Sequence, residues 1–152
     1  MLQSLEQLFR ENGVQYSPLP HPPRFTAQEA AAVEHVPGRE HAKVTIVKAG
    51  NRFLMTVLPA PKRVDFVKLA SLLPEHEAHL PTEDEFRALF PGCEPGAMPP
   101  FGNLFGVEVL VDRSLEKDES IVFQAGTHSE SVRMRYDDFK RLAKPKIADF
   151  SR

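Results

Sequence analysis

Apolar residues recur along this chain with two different periods, and the change from one to the other predicts interleaved helices and strands. The first helix is predicted over residues 4–12, with Ser4 and Gln7 as a capping box and Gly13 as its stop. An extended segment at 14–19 follows it and runs into a rigid, proline-rich turn.

The clearest strand pattern lies in the middle of the chain. β-Branched and apolar residues fill 43–48 and 52–58, and the turn between them is centred on Gly50, so the two segments predict a β-hairpin. An alanine-rich helix is predicted before the hairpin, opening at a capping box of Thr26 and Glu29.

Helices and strands continue to alternate after the hairpin. Helices are predicted at 64–73, 82–90 and 137–143, and strands at 107–111, 121–124 and 131–136. Such an arrangement predicts an α/β (mixed α+β) fold with a mixed, largely antiparallel sheet or partial barrel and surrounding helices, rather than a doubly wound fold.

Composition narrows the class of protein. A chain of 152 residues with 41% hydrophobic and 26% charged residues predicts one domain, residues 1–152, with a substantial core. The formal net charge of −2 argues against a protein that mainly grips phosphate backbone, but not against an enzyme that touches nucleic acid at one end. No apolar run reaches the ~20 residues of a membrane span, and a single cysteine suits a reducing cytoplasm.

One loop stands out by its composition. PGCEPGAMPPFGN, residues 91–103, holds four prolines, three glycines and the one cysteine, so it predicts neither a helix nor a central strand. Cys93 is a candidate nucleophile, but nothing around it in sequence lowers its pKa, and a structural role is favoured.

Familiar catalytic motifs are absent from the sequence, which holds no phosphate-binding glycine loop and no GxSxG elbow. His76 and His79 lack HExxH spacing, so a solvated helix end is favoured over a metal site, and we predict no metal or cofactor.

Lys43 at the mouth of the strongest strand can polarise a carbonyl or hold a phosphate, or simply protect a strand edge. His128, taken alone, is typical of a turn.

The landmarks taken together resemble a known family. In chain order they are HPP with TAQEAA, PG with AKVTIV, FPGCEPGAMPPFG, VEVLVD and FQAGTHSESV. This combination resembles the YbaK/ProX (YbaK/EbsC) aminoacyl-tRNA editing family, which also occurs as an insertion domain in bacterial prolyl-tRNA synthetases. The resemblance implies a compact α/β fold and a cytoplasmic enzyme that hydrolyses mischarged tRNA in trans.

The resemblance also implies a set of site residues. The family lysine falls on Lys43, which would act on the ester end of the substrate. Substrate-binding positions, including the family GxxxP loop, fall on Thr26, Gly96, Ala97, Met98, Pro99, Pro100, Gly126 and His128. The PPFG ending and the His128 element resemble the branches that remove alanine, serine, threonine or similar small residues more than the cysteine-directed branch.

Such an enzyme needs little covalent machinery, because the aminoacyl ester is already activated and positioning plus charge stabilisation can suffice. Two alternatives stay open at this point. One is a non-catalytic module that binds tRNA ends or a synthetase, and the other is a hydrolase of simple esters. A synthetase or elongation factor is an expected partner, because the near-neutral charge predicts modest intrinsic affinity for tRNA.

Overall fold

A computed structural model describes residues 1–21 and 40–152. The alanine-rich helix predicted around Thr26 falls outside these described residues. Across the described ranges no helix has both the length and the apolar character that crossing a bilayer requires.

The described residues form helices and strands in the predicted alternation. The helices are α1 Gln3–Glu11, α2 Phe66–Leu72, α3 Glu83–Arg87 and α4 Tyr136–Ala143. The strands are β1 Tyr16–Pro20, β2 Ala42–Ala49, β3 Arg52–Pro59, β4 Glu108–Asp112, β5 Ser120–Thr127, β6 Glu130–Arg135 and β7 Lys146–Ala148.

These strands build two sheets. One has the order β1-β6-β5 and is antiparallel throughout. The other has the order β2-β3-β4-β7, in which β2 and β3 form the predicted antiparallel hairpin and the later pairs are parallel. A parallel bridge between His41 and Val122 joins the two sheets. The predicted mixed α+β fold is confirmed, with its strands divided between two sheets.

Two helix starts differ in their capping. The capping box predicted at Ser4 and Gln7 is wrong, because α1 starts after Leu2 and the Gln7 amide donates to Glu11 Oε1 at 2.9 Å instead. Thr82 and Glu85, by contrast, form a capping box at the start of α3, one of the predicted helices. That helix nevertheless ends at Arg87, earlier than predicted.

Side chains of the β2–β3 hairpin alternate between two packed faces, as the period of a strand requires. Ile46 and Met55 pack on the side of Phe101, whereas Leu54 and Leu58 belong to the cluster on the other side. Phe101 is fully buried at the centre of the first cluster, with ring centroids 5.7 Å from Phe9, 5.7 Å from Phe123 and 5.6 Å from Phe139. This aromatic cluster anchors the C-terminal part of the 91–103 loop.

Candidate functional site

The 91–103 loop is fastened to a bulge in β5. The Gly126 N–H donates to the Ala97 carbonyl at 2.9 Å, and the Glu94 N–H donates to the Gly126 carbonyl at 2.8 Å. The register of β5 against β6 shifts between Gln124 and Thr127, which places Gly126 inside the irregularity. A bulge re-aims the backbone, and here it directs the amide and the carbonyl of one residue to the loop.

His128 fastens the same loop from its side chain. Its Nε2 lies 2.6 Å from the Pro95 carbonyl, and its backbone N–H donates to Glu94 Oε1 at 3.2 Å. A carbonyl only accepts, so Nε2 carries the proton in this contact. The ring also lies against Gly96, where a Cβ atom would be 3.6 Å from His128 Cε1. The structure therefore brings Gly96, Gly126 and His128 together, as a loop and the residues that hold it.

The side chains in the second half of the loop face inward. Ala97 and Met98 are buried, as are the two prolines that follow them, Pro99 and Pro100. Residues 91, 92 and 94–96 of the loop are exposed, so the surface of the loop offers backbone amides and carbonyls beside the Glu94 side chain. A rigid backbone wall can define a small pocket, because proline and a buried anchor limit its relaxation.

Lys43 occupies the second position of β2, is half-buried, and pairs with Leu58 of β3. Cross-strand neighbours share a face, which places Lys43 on the face of Leu58, whereas Met98 belongs to the cluster on the other face. No hydrogen bond or ion pair within residues 1–21 and 40–152 joins Lys43 to the 91–103 loop. Joint action of Lys43 and the loop stays a prediction.

The environment of Lys43 is unusual for a surface lysine. Burial lowers its pKa first, and the positive charge of Arg63 lowers that pKa further. Both effects weaken proton binding at Nζ. An anion or a carbonyl oxygen bound beside Nζ would therefore stabilise the ammonium form.

Cys93 lies in an environment that disfavours the reactive thiolate form. Burial raises the pKa of its thiol to about 11, so the thiolate is scarce at neutral pH. The side chain lines a small cavity with Phe86, Phe90 and Met98 behind the loop. Its environment favours a packing role.

Several residues that contribute to this geometry were not predicted from the sequence. Thr26 lies outside the described residues. Where side chains are described, no group of three or more potential metal ligands occurs. Sequence reasoning missed Glu94 and Pro95, which engage His128, and Arg63, which acts on Lys43. Their partners are distant in sequence, and no local pattern marks such contacts.

Comparison with known proteins identifies relatives of this chain. Residues 21–142 match the aminoacyl-tRNA editing domain family. The multifunctional Ser/Thr-tRNA deacylase ProXp-y of Escherichia coli (strain K12) is 26% identical over 155 residues, covering 99% of this chain and 92% of that protein. A proline–tRNA ligase of Thiobacillus denitrificans is 30% identical over 95 residues, covering 62% of this chain and 16% of the ligase.

A solved structure shares the fold. It is described as a candidate trans-editing enzyme for prolyl-tRNA synthetase and superposes with a TM-score of 0.84 at 19% sequence identity. The alignment covers 100% of this chain and 99% of that one. At this identity the likeness concerns the fold alone.

Proposed function

The chain belongs to the aminoacyl-tRNA editing domain family, and from that membership we propose that it is a trans-editing deacylase for tRNA mischarged with a small amino acid. Alanine, serine and threonine are the proposed amino acids, with tRNA(Pro) or a related tRNA as carrier. The observation that carries the proposal is the 91–103 loop, whose backbone is clamped to β5 through Gly126 and to His128.

The names of relatives support the amino acid class. The E. coli relative is named for Ser/Thr-tRNA deacylation, and serine and threonine are small and hydroxyl-bearing. A synthetase pocket distinguishes one methylene by only about 1–3 kcal/mol, so small amino acids are the ones that reach the wrong tRNA. A second, independent pocket corrects such errors.

The proposed reaction is hydrolysis of the aminoacyl ester. Water attacks the carbonyl carbon, the bond from that carbon to the ribose oxygen breaks, and the ribose oxygen takes up a proton. The products are the free amino acid and uncharged tRNA. The loop backbone at Gly96 and Ala97 would hold the aminoacyl group, and the buried Met98 would support that wall from behind.

Lys43 is the proposed catalytic residue. Its ammonium would stabilise the negative charge that develops on the carbonyl oxygen, or hold the phosphate of the terminal adenosine. Thr26 is proposed to line the same pocket. We propose that His128 acts as a positioning residue, since its ring nitrogen is engaged with the Pro95 carbonyl.

The cellular setting follows from the substrate. We propose that the whole chain, residues 1–152, works as one editing domain in the cytoplasm, where aminoacyl-tRNA is used. A synthetase or an elongation factor would deliver the mischarged tRNA.

The test compares two lysines of the same strand. Lys43→Ala is expected to lower kcat for mischarged tRNA by roughly 100-fold or more, as loss of an oxyanion-stabilising group does. Lys48→Ala is the matched control, because Lys48 is paired with Glu85 and lies on the other face of β2. It should keep the wild-type rate.

The outcomes separate the proposals. Full activity of a folded Lys43→Ala variant would refute the role of Lys43. A wild-type protein that binds tRNA ends but releases no amino acid from a panel of mischarged tRNAs would be a binding module instead. Turnover of simple esters without tRNA would indicate a general esterase.

A further inference from the structure

A groove rich in basic side chains lies at the edge of the β4–β7 sheet, away from the 91–103 loop. It has a volume of about 270 Å³ and its basic lining residues are Lys62, Lys68, Arg113 and Lys117. We call it the basic groove. It stands out because the whole chain carries a formal net charge of −2.

The acidic residues in the groove cancel only part of this charge, because two carboxylates, Asp112 and Asp149, stand against four basic side chains. The carboxylate of Asp112 keeps its negative charge but points to the backbone, where it accepts the N–H groups of Phe150 at 3.2 Å, Ser151 at 3.1 Å and Ser114 at 3.2 Å. Asp149 pairs with Arg113 at 3.3 Å, but both side chains are largely exposed and the pair is weak.

Three ammonium groups in the groove remain open to an anion. Lys68 Nζ donates to the Ser151 carbonyl at 3.1 Å, a neutral partner that leaves its charge uncompensated. Among the described residues, neither Lys62 nor Lys117 has an ion-pair partner within 4.0 Å. Cations that are gathered together without carboxylate partners repel one another, and this repulsion is relieved when an anion binds.

One further basic residue, Arg63, relates the basic groove to Lys43. Arg63 follows Lys62 directly and exchanges backbone hydrogen bonds with Arg152 at 2.9 and 2.8 Å. Arg63 is also the residue whose charge acts on Lys43. Arg63 therefore adds a positive charge that adjoins Lys62 in the chain and acts on the proposed catalytic lysine.

We propose that the basic groove binds backbone phosphates of the tRNA acceptor stem while the aminoacylated end reaches Lys43. This inference rests on the proposed function. It assigns tRNA affinity to one local surface on a chain whose overall charge opposes it, since phosphate contacts by Lys and Arg supply most nonspecific affinity for nucleic acid.

The experiment removes two charges at a time. Lys62→Ala with Lys117→Ala is compared with Arg10→Ala with Arg87→Ala, a control of equal charge loss at exposed sites outside the groove. Each variant is assayed for deacylation of full-length mischarged tRNA and of an aminoacylated CCA trinucleotide, which lacks the stem. Anisotropy with uncharged tRNA at several salt concentrations gives the binding slope.

The groove variant should raise KM for full-length tRNA roughly tenfold while kcat and trinucleotide hydrolysis stay unchanged. The slope of log affinity against log salt should fall by about one for each lost phosphate contact, that is by about two. The control variant should match wild type. Inorganic phosphate is also added to the wild-type assay at constant ionic strength. If it raised KM for full-length tRNA as much as the groove substitutions do, the groove would be a general anion site, and the assignment to the stem would be overturned.

Two negative results have different meanings. Equal KM values and equal salt slopes in wild-type and groove variants would overturn the basic groove while leaving the deacylase intact. Absence of hydrolysis by wild type would overturn the proposed function. The anisotropy slopes would still decide whether the groove binds tRNA.

Discussion

Gly96 shows how one residue controls the 91–103 loop. Its φ is +81°, a backbone conformation that side-chain-bearing residues rarely adopt. A Cβ atom would lie 3.6 Å from the His128 ring, which is an ordinary contact, so backbone strain rather than lack of space is the obstacle to substitution.

Gly96→Ala is expected to lower the free energy of unfolding by about 1–2 kcal/mol, the cost of a left-handed backbone, and to reduce deacylation because the loop backbone shifts. Gly13→Ala is the matched control, since Gly13 has a φ of +61° and, among the described residues, a Cβ atom there would meet no atom within 4 Å beyond its chain neighbours. Urea denaturation and deacylation kinetics measure the two effects. Equal loss of activity in both variants would contradict a specific role for Gly96.

Lys43 supplies the second prediction at this scale. Because burial and Arg63 lower its pKa, Nζ loses its proton at lower pH than an ordinary lysine. Activity that requires the ammonium should therefore decline as pH rises through this lowered pKa. Arg63→Ala removes one cause, so the alkaline decline should move to higher pH, measured as kcat/KM with the aminoacylated trinucleotide after subtracting uncatalysed hydrolysis.

Arg113→Ala is the control for Arg63→Ala. It removes the same positive charge, but Arg113 is not among the causes of the lowered pKa of Lys43. An alkaline limb that stays in place or moves to lower pH in Arg63→Ala would show that Lys43 is not the titrating group.

At the scale of elements, Asp112 joins the end of β4 to the final residues of the chain. Its carboxylate accepts the backbone N–H groups of both Phe150 and Ser151, which come 38 and 39 residues later. Burial alone would raise the pKa of Asp112, but the hydrogen bonds from Ser114, Phe150 and Ser151 outweigh burial and hold that pKa below its ordinary value. The contribution to stability is therefore present at neutral pH and lost as pH falls through the folded-state pKa.

Asp112→Ala should lower the free energy of unfolding by about 1–3 kcal/mol at pH 7, because buried donors lose their acceptor. Asp149→Ala is the control, since its exposed ion pair with Arg113 contributes at most about 1 kcal/mol. Chemical denaturation at pH 7 and near pH 3 measures both. The difference between Asp112→Ala and wild type should shrink at the lower pH, and a constant difference would contradict the linkage.

Elements with a strong local pattern were predictable, and weakly patterned ones were not. The β2–β3 hairpin was predicted within one residue at each end because its strands are rich in β-branched residues and its turn contains Gly50. The three-residue strand β7 was missed, since KIA has no periodicity of its own. It becomes a strand because β4 offers a parallel edge.

At the scale of the molecule, Phe101 links the loop to the core. Its ring lies among those of Phe9, Phe123 and Phe139, which come from α1, β5 and α4.

Phe101→Ala should lower the free energy of unfolding by about 3–5 kcal/mol through lost burial and the cavity left behind. Thermal and urea denaturation measure the loss, and Val67→Ala, at a side chain that is 82% exposed, is a control that should change little. A loss below about 1 kcal/mol would contradict a central role for Phe101.

The sequence by itself determined the alternation of elements, the mixed fold, the unusual composition of the 91–103 loop and the resemblance to a tRNA-editing family. These features depend on residue type and short spacing, which a linear sequence records directly. The tertiary structure alone decided that His128 and Gly126 clamp this loop, that Arg63 acts on Lys43, and that Lys62 and Lys117 share a groove. These contacts join residues that are 20 to 55 positions apart, so they depend on strand register and packing, which no local pattern specifies.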